Sequence, residues 1–352
     1  MDPVRPRVEL SPRDREILRD VVRSYLVSGE PVSSRAVAKL ERHGLSAASI
    51  RNTMADLEEL GFLEQPHTSA GRVPTSAGIH LYIESMMEAR DLPIEERQRI
   101  AGELAGSSAD APRLIEIASQ LLSRLSGQIG IIVTPAFGET VLEAVDLVPL
   151  SGRRVLCVVV SSTGFVEHKL IEADAEISRE DLVRISNYLT ESFRGLTLRS
   201  IRDRLVALMK EERAQVDLLL SRAILLASRG FETGSEPGLR IEGASTLLAS
   251  PEIGDLDRVR RILDAFAERQ RLVGLLNRCL DGNGVRVVIG EDSDVTSELG
   301  LTLVGRSYGA NRGERGALGI LGPARMPYDR IIPLVDFLGE SLGRALEESN
   351  GR

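Results

Sequence analysis

The sequence predicts an α+β protein of several domains: a helical head closed by a small β-hairpin, then an α/β sheet domain interrupted by a mainly helical insertion. Three observations predict it. At 352 residues the chain is too long for one ordinary domain. Apolar residues between Ile17 and Leu60 recur at helical spacing. Two later blocks instead carry short β-branched runs bounded by Gly, Pro and Ser, with a helical stretch between them. A hydrophobic content of 42% with 27% charged residues fits globular domains with filled cores. No apolar run approaches the roughly 20 residues of a membrane span, and no secretory signal opens the chain, so no membrane association is expected.

The head is read over residues 11–88. Ser11 and Pro12 suit N-cap and first-turn positions, and Ile17, Leu18, Val21, Val22 and Tyr25 follow at helical spacing until Gly29 and Pro31 stop the helix. Ser33 caps a second helix carrying Ala36, Val37 and Leu40, expected to end at Gly44. Ser46 caps a third helix. The segment FLEQ then reads as a strand, PHTSAG as a turn and RVPT as a second strand.

Beyond the head, EARDLPIEERQRIAGELAGSSADAP reads as a linker with little to bury. A helix from Leu114 leads into IGIIVTP, LEAVDLVPL and RVLCVVVSSTGFVEHKLIEA, all strand-like, and residues 178–228 return to helical spacing. GLRIEGASTLL, a helix over residues 255–280, the strands GVRVVIGED, LTLVGRSYG and GALGILGP, and a last helix over residues 327–347 complete the chain. About three strands on either side of the helical block suggest one sheet with an insertion, since each half alone would be marginal; two independent small sheets are the alternative.

The third helix carries the chemistry. On a helical wheel Ile50, Met54, Leu57 and Leu60 share one face. Ala48, Asn52 and Ala55 lie opposite, flanked by Ser49 and Arg51, with Ser46 and Ala47 at the entry. Small residues at the start of a helix let its backbone approach a surface closely. Arg51 can bond guanine O6 and N7, and Asn52 can bond adenine N6 and N7. Asp56, Glu58 and Glu59 fall at the other end, where a helix entering a major groove by its N-terminal half leaves the DNA. His67, Thr68, Ser69, the amides around Gly71, and Arg72 form the tip of a wing able to reach phosphates or a minor groove. The net charge of −8 excludes a protein that coats nucleic acid indiscriminately. Local charge differs, with Arg35, Lys39, Arg42 and Arg51 opposed by Glu41 alone over residues 31–55.

No other residue set points to chemistry, and no catalytic residue or cofactor is expected. His43, His67, His80 and His168 lack ligand spacing, so no metal site is expected. Cys157, inside VLCVVV, reads as a packed small hydrophobe, and Cys279, near a helix end, as more exposed. Their spacing implies neither a disulfide framework nor a zinc site, and a reduced cytoplasm is the expected compartment. The glycines of GERGALGILGP lack the order of a phosphate loop and read as a turn into a strand.

The segments GEPVSSRAVAK and LSAASIRNTMADLEELGFLEQPHTSAGRVPTSAG closely resemble the N-terminal domain of the HrcA family, the bacterial heat-inducible transcription repressors. The resemblance extends more loosely through IGIIVTP, GLRIEGASTLL, GVRVVIGE and GALGILGPARMPY. It implies an N-terminal winged helix-turn-helix over residues 1–90, a linker over 91–112, a GAF-like α/β domain over 113–177 and 251–352, and an inserted dimerisation domain over 178–250. It also implies a homodimer on a double-stranded inverted-repeat operator of the CIRCE type, upstream of chaperone operons. Release on heat stress and dependence on the GroE chaperonin come with it. Ser33, Arg35, Ser46, Ala47, Ala48, Ser49, Arg51, Asn52, His67, Thr68, Ser69, Gly71 and Arg72 are the expected DNA-binding residues. Leu205, Leu208, Val216, Leu219 and Leu220 are expected in the dimer-forming helices. A ligand-sensing regulator using the GAF-like domain is the alternative.

Overall fold

The computed structural model describes residues 10–350 apart from 41–43, 68–69, 88–89, 106–109, 136, 163, 210–221, 224–225, 228, 232–237, 250–255, 281–283 and 310–314. The head opens with α1 (Pro12–Ser28), capped by the Ser11 hydroxyl and closed by Gly29, whose left-handed backbone lets its N–H reach the Tyr25 carbonyl at 2.8 Å. α2 (Ser34–Ala38) and α3 (Ala47–Glu59) follow, then the antiparallel pair β1 (Leu63–Glu64) and β2 (Val73–Pro74), and α4 (Ser76–Ser85). α2 stops at Ala38, well before the expected Gly44. Ile17, Leu18, Val21, Val22, Val37, Ile50, Met54 and Leu57 are buried together.

The body is a five-stranded antiparallel sheet in the order β7-β3-β10-β9-β8. Its strands are β3 (Ile129–Val133), β7 (Leu239–Glu242), β8 (Val285–Ile289), β9 (Leu301–Tyr308) and β10 (Gly316–Pro323). α5 (Ile94–Ala105), α6 (Ala111–Ser126) and α12 (Tyr328–Asn350) lie on one face, where Ile132, Val304, Leu318 and Ile320 join a cluster that also contains the head core. α9 (Leu256–Ala267), α10 (Arg269–Asn277) and α11 (Asp294–Leu299) cover the other, packing on Ile129, Ile131, Leu303 and Leu321. Burial on both faces explains why β3 and β10 read as unbroken apolar runs rather than alternating ones. The expected linker is not bare. α5 buries Ile100 and Leu104 beneath α6 and α12.

The insertion differs from its sequence-based expectation. The chain leaves the body after β3 and returns at β7, and the strands between them form a sheet of their own. That sheet comprises β4 (Leu142–Pro149), β5 (Arg154–Ser161) and β6 (Val166–Glu172), with α7 (Arg179–Phe193) and α8 (Leu198–Met209) after it. Its core unites Val145, Leu147, Cys157 and Ile171 with Leu182, Ile185, Leu189, Leu205, Leu226 and Phe231. The residues expected to close the first half of the body, up to 177, therefore belong to the insert, which is α/β rather than mainly helical. α7 runs along the free edge of β4, where the Ser186 and Thr190 hydroxyls accept from the Leu147 and Val145 N–H groups at 2.9 and 3.1 Å. Edge amides that would otherwise attract another strand are thereby satisfied. Of the residues expected in the dimer-forming helices, Val216, Leu219 and Leu220 and the side chain of Leu208 lie outside the description, and Leu205 is core.

Candidate nucleic-acid interface

α3 is held so that one face cannot move. Ser46 caps it, its hydroxyl accepting from the Ser49 N–H at 3.2 Å. Ile50, Thr53, Met54 and Leu57 are buried in the head. Thr53 replaces Leu60 in the expected face: Leu60 is the C-cap, 46% exposed, because the helix ends before that position turns inward. The remaining surface exposes Ala48, Arg51 and Asn52 side by side, with Ala47 half-buried at the entry. Among the described residues neither Arg51 nor Asn52 has a hydrogen-bond or ion-pair partner in the chain, so both side chains are available to an external one. α2 adds the exposed Arg35 on a helix capped by Ser33, whose hydroxyl accepts from the Ala36 N–H at 3.2 Å.

Several expected contact residues also do structural work. The hydroxyls of Ser33 and Ser46 are engaged as caps. Ser49 is bound from α1, with Arg13 Nη2 donating to its hydroxyl at 3.0 Å and its carbonyl at 3.3 Å. This places the exposed Arg13 guanidinium beside the start of α3, a position with no sequence signal because the two residues are 36 apart. A cation there opposes the helix dipole, and an anion alongside would relieve it.

The wing is tied down more firmly than its composition suggests. Arg72 exchanges backbone hydrogen bonds with Val32, at 2.8 and 2.9 Å, and its side chain turns inward, with Nε 2.8 Å from Glu58 Oε2 of α3. It is 18% exposed and does not project from the tip. The ion pair removes both the expected free arginine and one of the acidic groups expected to trail off the DNA. Gly71 is there for space: a Cβ would stand 2.4 Å from the Val32 carbonyl oxygen. At the tip His67 is exposed and its carbonyl accepts from the Ala70 N–H at 2.8 Å, while Thr68 and Ser69 lie outside the described residues.

Elsewhere the cysteines are not reactive groups. Cys157 and Cys279 are both buried, the latter against expectation, and burial pushes each thiol up to about 12. Among the described residues no helix is long and apolar enough to cross a membrane.

An exposed, small-faced helix on a head that is cored into a larger α/β body is a construction able to present that helix to a partner. The family model for the HrcA protein C-terminal domain matches residues 113–332. The heat-inducible transcription repressor HrcA of Geobacter sulfurreducens is 40% identical over 342 residues, covering 96% of this chain and 99% of the relative. That of Syntrophobacter fumaroxidans is 38% identical over 342 residues, covering 97% and 98%. A crystal structure described only as that of a hypothetical protein shares the fold, with a TM-score of 0.58 at 24% identity over 97% of this chain and all of that one. The chain belongs to the HrcA family of heat-inducible transcription repressors.

Replacing Gly71 by Ala forces the wing away from Val32. The head should lose about 1–3 kcal/mol, read as a lower urea midpoint. An unchanged midpoint would show that the close approach is not needed.

Proposed function

We propose that the chain represses transcription by binding a CIRCE-type inverted repeat as a homodimer, each head acting as a winged helix-turn-helix that sets the N-terminal half of α3 in a major groove. The single observation that carries this reading is the exposed row Ala48, Arg51 and Asn52 on a helix whose opposite face is locked into the head core. Arg51 and Asn52 are the base-reading pair. Arg35 and Arg13 take phosphates, His67 and the wing tip approach the flanking backbone, and Arg72 holds the wing at its angle from inside. Ser33, Ser46, Ala47, Ser49 and Gly71 shape the surface and bring backbone close to DNA.

An inverted repeat requires two heads related by a two-fold axis. The surface best suited to supply it is the open face of the insert sheet, not its helices. Strand register sets Ala144, Val160 and Val166 in one row, Asp146, Val158 and His168 in the next, and Val148, Leu156 and Leu170 in the third. The helices pack on the other face. Val166 is 58% and Leu170 54% exposed, so a large apolar patch faces outward. The body is the GAF-like domain that carries head and insert. Heat acts by loss of the folded dimer, which uncovers this patch, and the GroE chaperonin opposes it by raising the folded fraction.

In gel-shift titrations the protein should bind an inverted repeat more tightly than a scrambled sequence. Arg51→Ala should cost about 1–3 kcal/mol and blur the preference; equal affinity of the parent protein for both DNAs would end the operator reading. Leu156→Asp combined with Leu170→Asp should yield monomers by light scattering. A dimer of unchanged affinity would move the interface elsewhere.

A further inference from the structure

Head and body meet at a polar contact that the operator reading leaves unused. α4 moves with the head. The Thr75 hydroxyl donates to the Gly61 carbonyl at 2.7 Å and accepts from the Gly78 N–H at 3.2 Å. Gly78 allows α4 against the Phe62 carbonyl, where a Cβ would stand at 2.2 Å. Any rotation of α4 therefore carries the hairpin and α3 with it. From this helix, His80 Nε2 bonds Asp292 Oδ2, 212 residues away in sequence. Asp292 in turn belongs to the body: the same oxygen accepts from the Ile289 N–H at the end of β8, at 3.1 Å. The turn carrying it is braced by the Thr296 hydroxyl, which donates to the Gly290 carbonyl at 2.6 Å. Ser76, one turn before His80, packs on Gly290 at a point where no side chain would fit. Both side chains of the pair are mostly shielded, at 18% and 24% exposure, so water competes weakly for them.

We infer that the His80–Asp292 contact is a positioning device for DNA binding, fixing the angle of each head on the body so that two heads of a dimer meet two half-sites together. The inference rests on the operator reading. A single head on a single half-site gains nothing from that angle, because α3 and the base of the hairpin are held within the head itself, by the buried face of α3 and by the Val32–Arg72 backbone bonds. Two heads gain from it, because binding of the second is intramolecular and its effective concentration depends on how narrowly its orientation is held. Apolar packing between head and body gives adhesion but little direction, whereas a hydrogen bond between side chains anchored on each body does.

The test uses full-length protein with two DNAs, the complete inverted repeat and one half-site with its partner half scrambled. His80→Ala should lower affinity for the complete repeat by roughly tenfold or more while leaving half-site affinity within about twofold. His80→Gln, which retains a hydrogen-bond donor, should recover most of the loss. The inference is overturned if His80→Ala leaves the complete-repeat affinity unchanged or raises it, if it weakens both DNAs equally, or if His80→Gln is no better than His80→Ala. Failure of the operator reading looks different: the parent protein then binds the complete repeat no better than scrambled DNA.

Discussion

One apolar core runs from Leu10 in the head to Leu346 in the last helix, and the placement of everything functional follows from it. The head shares its interior with α5, α6 and α12 instead of hanging from the body by a flexible tether. Because hydrophobic burial is non-directional, such a core fixes contact and leaves angle to the polar groups at its margin. The surfaces available to partners are those the core does not claim. On the head this is the side of α3 carrying Arg51 and Asn52, together with the wing. Burying Ile50, Thr53, Met54 and Leu57 on the other side leaves that row no freedom to turn inward.

The insert obeys a different logic. Its core, from Leu142 to Phe231, is separate from that of the body, and among the described residues its sheet is packed on one face only. A half-covered sheet normally shows polar residues on its open face. Here seven of nine open-face positions in the register are apolar, Asp146 and His168 being the exceptions. The β4 edge is closed by α7 hydroxyls, so strand addition at that edge is blocked while face-to-face association remains open. The proposed function divides the labour accordingly: the body holds, the head reads and the insert pairs.

Much of this was legible in the sequence. Local signals transferred well. The caps at Ser11, Ser33 and Ser46, the helix period of α1 and α3, and the short hairpin at residues 63–74 all lie where spacing puts them. What was not legible depends on pairing between distant residues. The strands of the insert and of the body are short apolar runs that overlap in length, so nothing local tells that Val133 pairs with Leu239 while Val145 pairs with Val159. The inward turn of Arg72 depends on Glu58 and the placement of the exposed Arg13 on Ser49, neither announced by spacing along the chain. α5 reads as linker in the sequence because its two buried residues, Ile100 and Leu104, are few among many charges. In the candidate site, the exposed residues of α3 were recoverable from the wheel, whereas the caps and Gly71 carry both a structural and a surface role that composition cannot separate.

The central claim is that α3 of each of two heads lies in a major groove. Dimethyl sulfate protection on the bound inverted repeat tests it directly, since this reagent methylates guanine N7 in the major groove and adenine N3 in the minor groove. Two symmetric patches of guanine N7 protection are expected, their centres separated by a whole number of helical turns, and both should fade with Arg51→Ala. Protection confined to adenine N3, or a single continuous patch insensitive to Arg51, would contradict it.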